Sequence, residues 1–286
     1  MNRARLLLAA LAALVLPAAA LAEEACPPFE VTGSGPDLVL VPGLGSSPGT
    51  WDGVKDSLAQ DYRLHLVHVA GFAGRPANGD PATLLARTKA DIIRHLDCQK
   101  VERAAYAGHS MGGFIGLMLA ADHPDRIERV VVVDSLPFFP LIFNPAATAE
   151  MAAPQADAAR AQIIAQDDAA FAAAQRMGMQ SLARNTAVHE QLVQWSVTSD
   201  RSTFAGAVHA LMTTDLRPRL GKITARVTVL VAANPYAPRA RVEPLYAAAY
   251  AGLPQARLTV IEDSFHFIMF DQPEAFEAGL RAGLAE

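Results

Sequence analysis

The chain has 286 residues, 51% of them hydrophobic, and a formal net charge of −5 at pH 7. That acidic balance excludes the basic surface that nucleic acid or anionic lipid requires of a partner. The apolar fraction excludes a disordered chain and suffices for one large core with an insertion.

Met1 to Arg5 is short and basic, Leu6 to Leu16 is apolar, and Ala20-Leu21-Ala22 forms an A-x-A site. This pattern reads as a cleavable signal peptide over 1–22, cut after Ala22. The apolar run is shorter than the roughly 20 residues that span a bilayer. A periplasmic or secreted protein without stable membrane insertion is therefore expected. Loss of Arg3 and Arg5 with the leader takes the net charge to −7. The two cysteines, Cys26 and Cys98, have no metal-motif spacing. Export makes a disulfide between them chemically possible, with buried free thiols as the alternative.

Along the mature chain, Asp37 to Val41 is an apolar strand emptying into Pro42-Gly43-Leu44-Gly45. Trp51 to Gln60 has a helical pattern, and Tyr62 to Ala70 reads as a second strand. Pro81 opens a helix reaching about Leu96, since proline suits the first turn. Val101 to Gly108 is a third strand, though its alanines are weak β-formers, and Phe114 to Asp122 is a helix. Arg129 to Asp134 carries four valines and is the clearest buried strand; Val227 to Ala232 and Leu258 to Ile261 follow the same pattern. Strands that alternate with helices and are apolar throughout imply an α/β fold: a mostly parallel sheet with helices on both faces. The alanine-rich stretch 136–220 lacks strand patterning and reads as an α-helical cap. It divides the core into 23–135 and 221–286.

Gly108-His109-Ser110-Met111-Gly112 matches G-x-S-x-G between a strand and a helix. That turn presents the serine at the top of the sheet, and Ser110 is the candidate nucleophile. A serine needs a base to take its proton. His266 lies in Asp263-Ser264-Phe265-His266-Phe267, on the loop after the final strand, where it can lean over the carboxyl edge of the sheet. Negative charge developing on an acyl oxygen needs fixed backbone donors. The N–H groups of Leu44 and Met111 are placed to supply them.

Together, VPGLGSS, GHSMGG, VVVVDS, the cap and DSFHFIMFDQPEAF resemble the α/β-hydrolase superfamily with a single helical cap. The resemblance spans essentially the whole mature chain. It implies hydrolysis of carboxylic esters, or less often of amides, lactones or thioesters, through an acyl-enzyme without metal or organic cofactor. Pro42 stands where that family usually carries histidine. A second departure concerns the acid. The loop after Val227–Ala232 carries Asn234 where the family places aspartate. Asparagine can orient an imidazole but cannot stabilise imidazolium by charge. Asp134, at the carboxyl end of the strand after the nucleophile helix, is the expected acid, a position used by some members of the superfamily. Asn234 is the alternative.

The apolar residues Leu136, Phe138, Phe139, Leu141, Ile142 and Phe143 follow the acid strand, and Met177, Met179, Leu182, Trp195, Leu211 and Met212 are spread through the cap. Most bury the cap against the core; some are expected to line a pocket for a small-to-medium apolar ester. The competing reading is a binding protein of the same fold that has lost its acid. A dehalogenase would need aspartate at position 110.

Overall fold

The computed structural model describes residues 26–285, so the segment 1–22, expected to be a leader, lies outside the described residues. Seven strands form one sheet: β1 Glu30–Gly33, β2 Asp37–Val41, β3 Arg63–Leu66, β4 Ala104–His109, β5 Ile127–Val133, β6 Arg226–Ala232 and β7 Arg257–Ile261. Their order is β1-β3-β2-β4-β5-β6-β7. Pairing is parallel except between β1 and β3. The helices are α1 Asp52–Leu58, α2 Leu84–Cys98, α3 Met111–Asp122, α4 Ala149–Ala165, α5 Asp168–Leu182, α6 His189–Val197, α7 Arg201–Thr213, α8 Arg239–Ala249, α9 Ile268–Asp271 and α10 Pro273–Ala285.

Both faces of the central strands β2, β4, β5 and β6 are buried, which is why they read as apolar runs. β7 differs from the buried strand expected at Leu258–Ile261: it is the sheet's edge, one face lies open, and only Ile261 is fully buried. Leu40, Ala107, Val131 and Val133 pack with α1 and α10 on one face. Val41, Tyr106, Val130 and Val132 pack with α2 and α3 on the other. β1 escaped the sequence reading because Glu-Val-Thr-Gly is a mostly exposed edge with no apolar run. The second strand ends at Leu66 rather than Ala70. A 3-10 turn at Pro81–Thr83, capped by Asp80, precedes α2. α3 starts at Met111 rather than Phe114, because the Gly112-Gly113 pair enters the helix directly from the turn.

The chain runs from β2 to β3 on one side, then crosses to β4 on the other. That reversal leaves a crevice beyond the carboxyl ends of β2 and β4, where open α/β sheets hold their ligands. Helices α4 to α7 lie in sequence between β5 and β6. Thr148, Asp167 and Asp200 cap α4, α5 and α7 by accepting backbone N–H groups. Cys26 and Cys98 are bridged, with Cα atoms 6.0 Å apart, so the described N-terminus is tied to the end of α2.

Candidate active site

β4 ends at His109 and α3 begins at Met111, so the whole reversal falls on Ser110, with φ 53° and ψ −118°. A non-glycine residue there costs about 1–3 kcal/mol and persists only where its surroundings hold it. The Ser110 N–H donates to the Val133 carbonyl at 2.8 Å. The Tyr106 hydroxyl donates to the Gly112 carbonyl at 2.6 Å. A Cβ on Gly108 would sit 2.3 Å from the Gly112 carbonyl, and one on Gly112 would sit 2.3 Å from the Val41 carbonyl oxygen. The flanking glycines are thus demanded by backbone contact with each other and with β2.

His266 Nδ1 lies 2.7 Å from Asp134 Oδ2. Asp134 follows β5 with φ 47°. Its N–H donates to the Leu230 carbonyl at 2.8 Å, an extension of the β5–β6 register. Its other oxygen, Oδ1, accepts from the Ala232 N–H at 3.1 Å and from the Tyr246 hydroxyl at 3.0 Å. The carboxylate is therefore fixed on both oxygens. Burial, and then the Asp134 charge, push the Tyr246 hydroxyl well above its ordinary pKa, so it remains a donor. Tyr250 stacks beside it, with centroids 6.4 Å apart, and donates to the Ser135 carbonyl at 2.7 Å. Tyr246 was missed in the sequence because α8 carries no motif. Its spacing from the buried Val242 and Ala249 was the available signal.

Asn234 makes no hydrogen bond to His266. Its Oδ1 accepts from the N–H groups of Tyr236 at 2.9 Å and Ala237 at 3.0 Å, closing its own turn, and Nδ2 points at the Ser264 carbonyl at 3.4 Å. The loop position that carries aspartate in the resembling family is here a turn residue.

Ser110, His266, Leu44 and Met111 line one cavity of about 860 Å³. Among the described residues the side chain of His266 is hydrogen-bonded to Asp134, and no hydrogen bond joins it to Ser110 Oγ. The N–H groups of Leu44 and Met111 have no protein acceptor among the described residues. His109 is fully buried beside them, its Nε2 3.1 Å from the His266 carbonyl oxygen.

The cavity wall is mainly apolar. Leu136, Phe139, Ile142, Met177, Met179, Leu182 and Leu211 take part, as do Phe114, Phe204 and Val242. Phe138 and Leu141 are instead buried in the core, and Phe143 is exposed. Trp195 packs over Gly49, where a Cβ would come within 2.8 Å of its ring. Gln175, Gln180 and Arg241 add polar groups to the wall. No described helix is long and apolar enough to cross a membrane.

A family model described as "Alpha/beta hydrolase family" matches residues 38–278. A pimeloyl-[acyl-carrier protein] methyl ester esterase from Edwardsiella ictaluri is 30% identical over 256 residues, covering 85% of this chain and 91% of that protein. The protein of the same name from Aeromonas hydrophila is 36% identical, but over 107 residues, covering 37% of this chain and 41% of the relative. The match thus spans less than half the length of some relatives. A solved hydrolase from Pseudomonas aeruginosa PA01 superposes with a TM-score of 0.75 at 25% identity, covering 90% of this chain and 94% of that one. The enol-lactonase from Burkholderia xenovorans LB400 shares the fold with a TM-score of 0.73 at 23% identity, over 90% and 96% of the two chains.

Proposed function

The chain belongs to the alpha/beta hydrolase family, and from that premise we propose that it is an exported serine esterase cleaving small-to-medium apolar carboxylic esters. The observation that carries this reading is the His266–Asp134 pair facing the same apolar cavity as a serine on a strained strand-to-helix turn.

The chemistry needs only groups of the protein. Ser110 Oγ attacks the ester carbonyl carbon while His266 Nε2 takes the hydroxyl proton. Asp134 keeps the proton on Nδ1, presents the bare Nε2 to the serine, and stabilises the imidazolium that forms. Charge on the carbonyl oxygen is met by the Leu44 and Met111 N–H groups, the latter at the start of α3. His266 returns the proton to the departing alkoxide, and a water molecule activated by the same base hydrolyses the acyl-enzyme.

The relatives' names specify a methyl ester, which supports a small alcohol portion. The apolar wall contributed by α5, α7 and 136–142 supports an apolar acyl portion. Export rests on the leader over 1–22. The Cys26–Cys98 bridge supports it, because disulfides persist in oxidising compartments. The binding-protein alternative drew on the missing acid at position 234, whereas Asp134 gives His266 a carboxylate partner.

Nitrophenyl esters of graded acyl length test the proposal, with fluorophosphonate labelling of wild type and Ser110→Ala in parallel. Turnover and labelling in wild type, both lost in Ser110→Ala, are expected. A wild type that neither labels nor turns over any of the esters would refute the esterase reading.

A further inference from the structure

His109 precedes the nucleophile, and the mechanism above gives it no role. Its side chain is fully buried. Nε2 lies 3.1 Å from the backbone carbonyl oxygen of His266. A carbonyl only accepts, so Nε2 carries the proton. Burial, and then the neighbouring His266, push the His109 pKa well below its ordinary value. The ring is therefore neutral with a single proton, and Nδ1 is bare; consistently, Nδ1 has no hydrogen-bond partner.

The ring is packed between His266, Phe267 and the loop at Gly43. Its centroid is 4.5 Å from that of His266 and 4.8 Å from that of Phe267. On the Nδ1 edge it abuts the loop that carries Leu44: a Cβ added to Gly43 would lie 2.8 Å from His109 Nδ1 and 3.2 Å from Ser110 Cβ. One side chain thus touches the base loop, the nucleophile turn and the oxyanion loop.

We propose that His109 is a positioning residue for the ester hydrolysis. Its imidazole is a rigid spacer that pins the loop 263–267 by a hydrogen bond to the His266 carbonyl and seats the oxyanion loop through its contact at Gly43. The inference rests on the esterase reading for its effect on turnover, but its structural content stands apart from it. The site has reason to use a neutral ring here. A cation 4.5 Å from His266 would oppose the imidazolium that forms on that base during the reaction. An apolar ring would fill the space without holding the carbonyl.

Two substitutions separate these features. His109→Phe keeps a ring and removes the donor; His109→Gln keeps an N–H close to the position of Nε2. With active sites counted by fluorophosphonate titration, His109→Phe should lower kcat per site on the order of tenfold to a hundredfold, the cost of a small misplacement of catalytic groups. KM should stay within about threefold, because the acyl wall is untouched. His109→Gln should recover most of the loss. Amide hydrogen exchange gives a readout that needs no turnover. The N–H groups of Ser264, Phe265 and Phe267, bonded to Ala233, Asp271 and Leu182, should exchange faster in His109→Phe and as in wild type in His109→Gln. Unchanged exchange in His109→Phe overturns the proposal, as does equal impairment of both variants. Should His109→Phe fail to fold, His109→Leu, which also lacks the donor, replaces it. A wild type without Ser110-dependent turnover refutes the esterase reading instead, and exchange then decides the role of His109 alone.

Discussion

Asp134→Asn is the most informative single change, because the surroundings of the carboxylate dictate how the amide must sit. Oδ1 accepts from two fixed donors, the Ala232 N–H at 3.1 Å and the Tyr246 hydroxyl at 3.0 Å. Asparagine keeps an acceptor there only by turning its carbonyl oxygen toward them. Its NH₂ then occupies the place of Oδ2, 2.7 Å from His266 Nδ1. Two donors cannot share that contact, so Nδ1 gives up its proton and Nε2 takes one. The base then presents N–H instead of a lone pair to Ser110, and the imidazolium loses its counter-charge. In serine proteases the equivalent change costs about 10⁴ in kcat, or about 5 kcal/mol of barrier. The same order is expected here, with the melting temperature nearly unchanged since every donor keeps a partner. Nitrophenyl butyrate hydrolysis per folded molecule, with thermal melts alongside, measures both. Turnover within tenfold of wild type, together with collapse in Asn234→Ala, would refute the assignment.

Tyr246→Phe removes one of the two donors to Asp134 Oδ1; it should cost about 1–2 kcal/mol in denaturant unfolding and lower kcat severalfold with KM unchanged, and an unaltered kcat would remove Tyr246 from the positioning of the acid. The Cys26–Cys98 bridge closes a sequence separation of 72 residues, so Cys98→Ser should destabilise the fold by up to about 4 kcal/mol on the loop-entropy model, read as a drop in melting temperature that reductant reproduces only in the wild type. His65, His95 and His109 all have pKa values lowered from 6.5, chiefly by burial. The unfolded chain therefore binds their protons more readily than the fold. Their contribution is complete above pH 6.5 and is lost as pH falls below it, at up to about 1.4 kcal/mol per pH unit for each imidazole. Melting temperatures should fall accordingly as the pH is taken from 7.5 to 5.5, and a flat profile would contradict the lowered pKa values of these buried imidazoles.

Much of the site could be read in one dimension. Ser110 was marked by glycines whose necessity is local: Gly108 and Gly112 touch each other across the turn they flank. His266 was marked by its place after the last strand. Asp134 emerged from chain order and from the absence of a carboxylate at position 234. Tyr246 and the His109 contact were not legible, because nothing within either residue's neighbourhood names its partner. A tyrosine in an alanine-rich helix and a histidine beside a serine are both ordinary until the fold brings position 246 to 134 and position 109 to 266. β1 was hidden for another reason: a short exposed edge strand buries too little to leave an apolar pattern.

By itself the sequence determined the alternation of buried strands and helices, the strand-to-helix turn and the helical insertion, since apolar periodicity and backbone sterics act over a few residues. Only the tertiary structure decided which groups meet. The pairing of Val133 with Leu230 carries Asp134 past the end of β5 to the N–H of Ala232. The closing of β7 and its loop onto that edge brings His266 to the remaining oxygen. Those contacts join residues about a hundred or more positions apart. They depend on strand register and on packing across two buried faces, which no local pattern encodes.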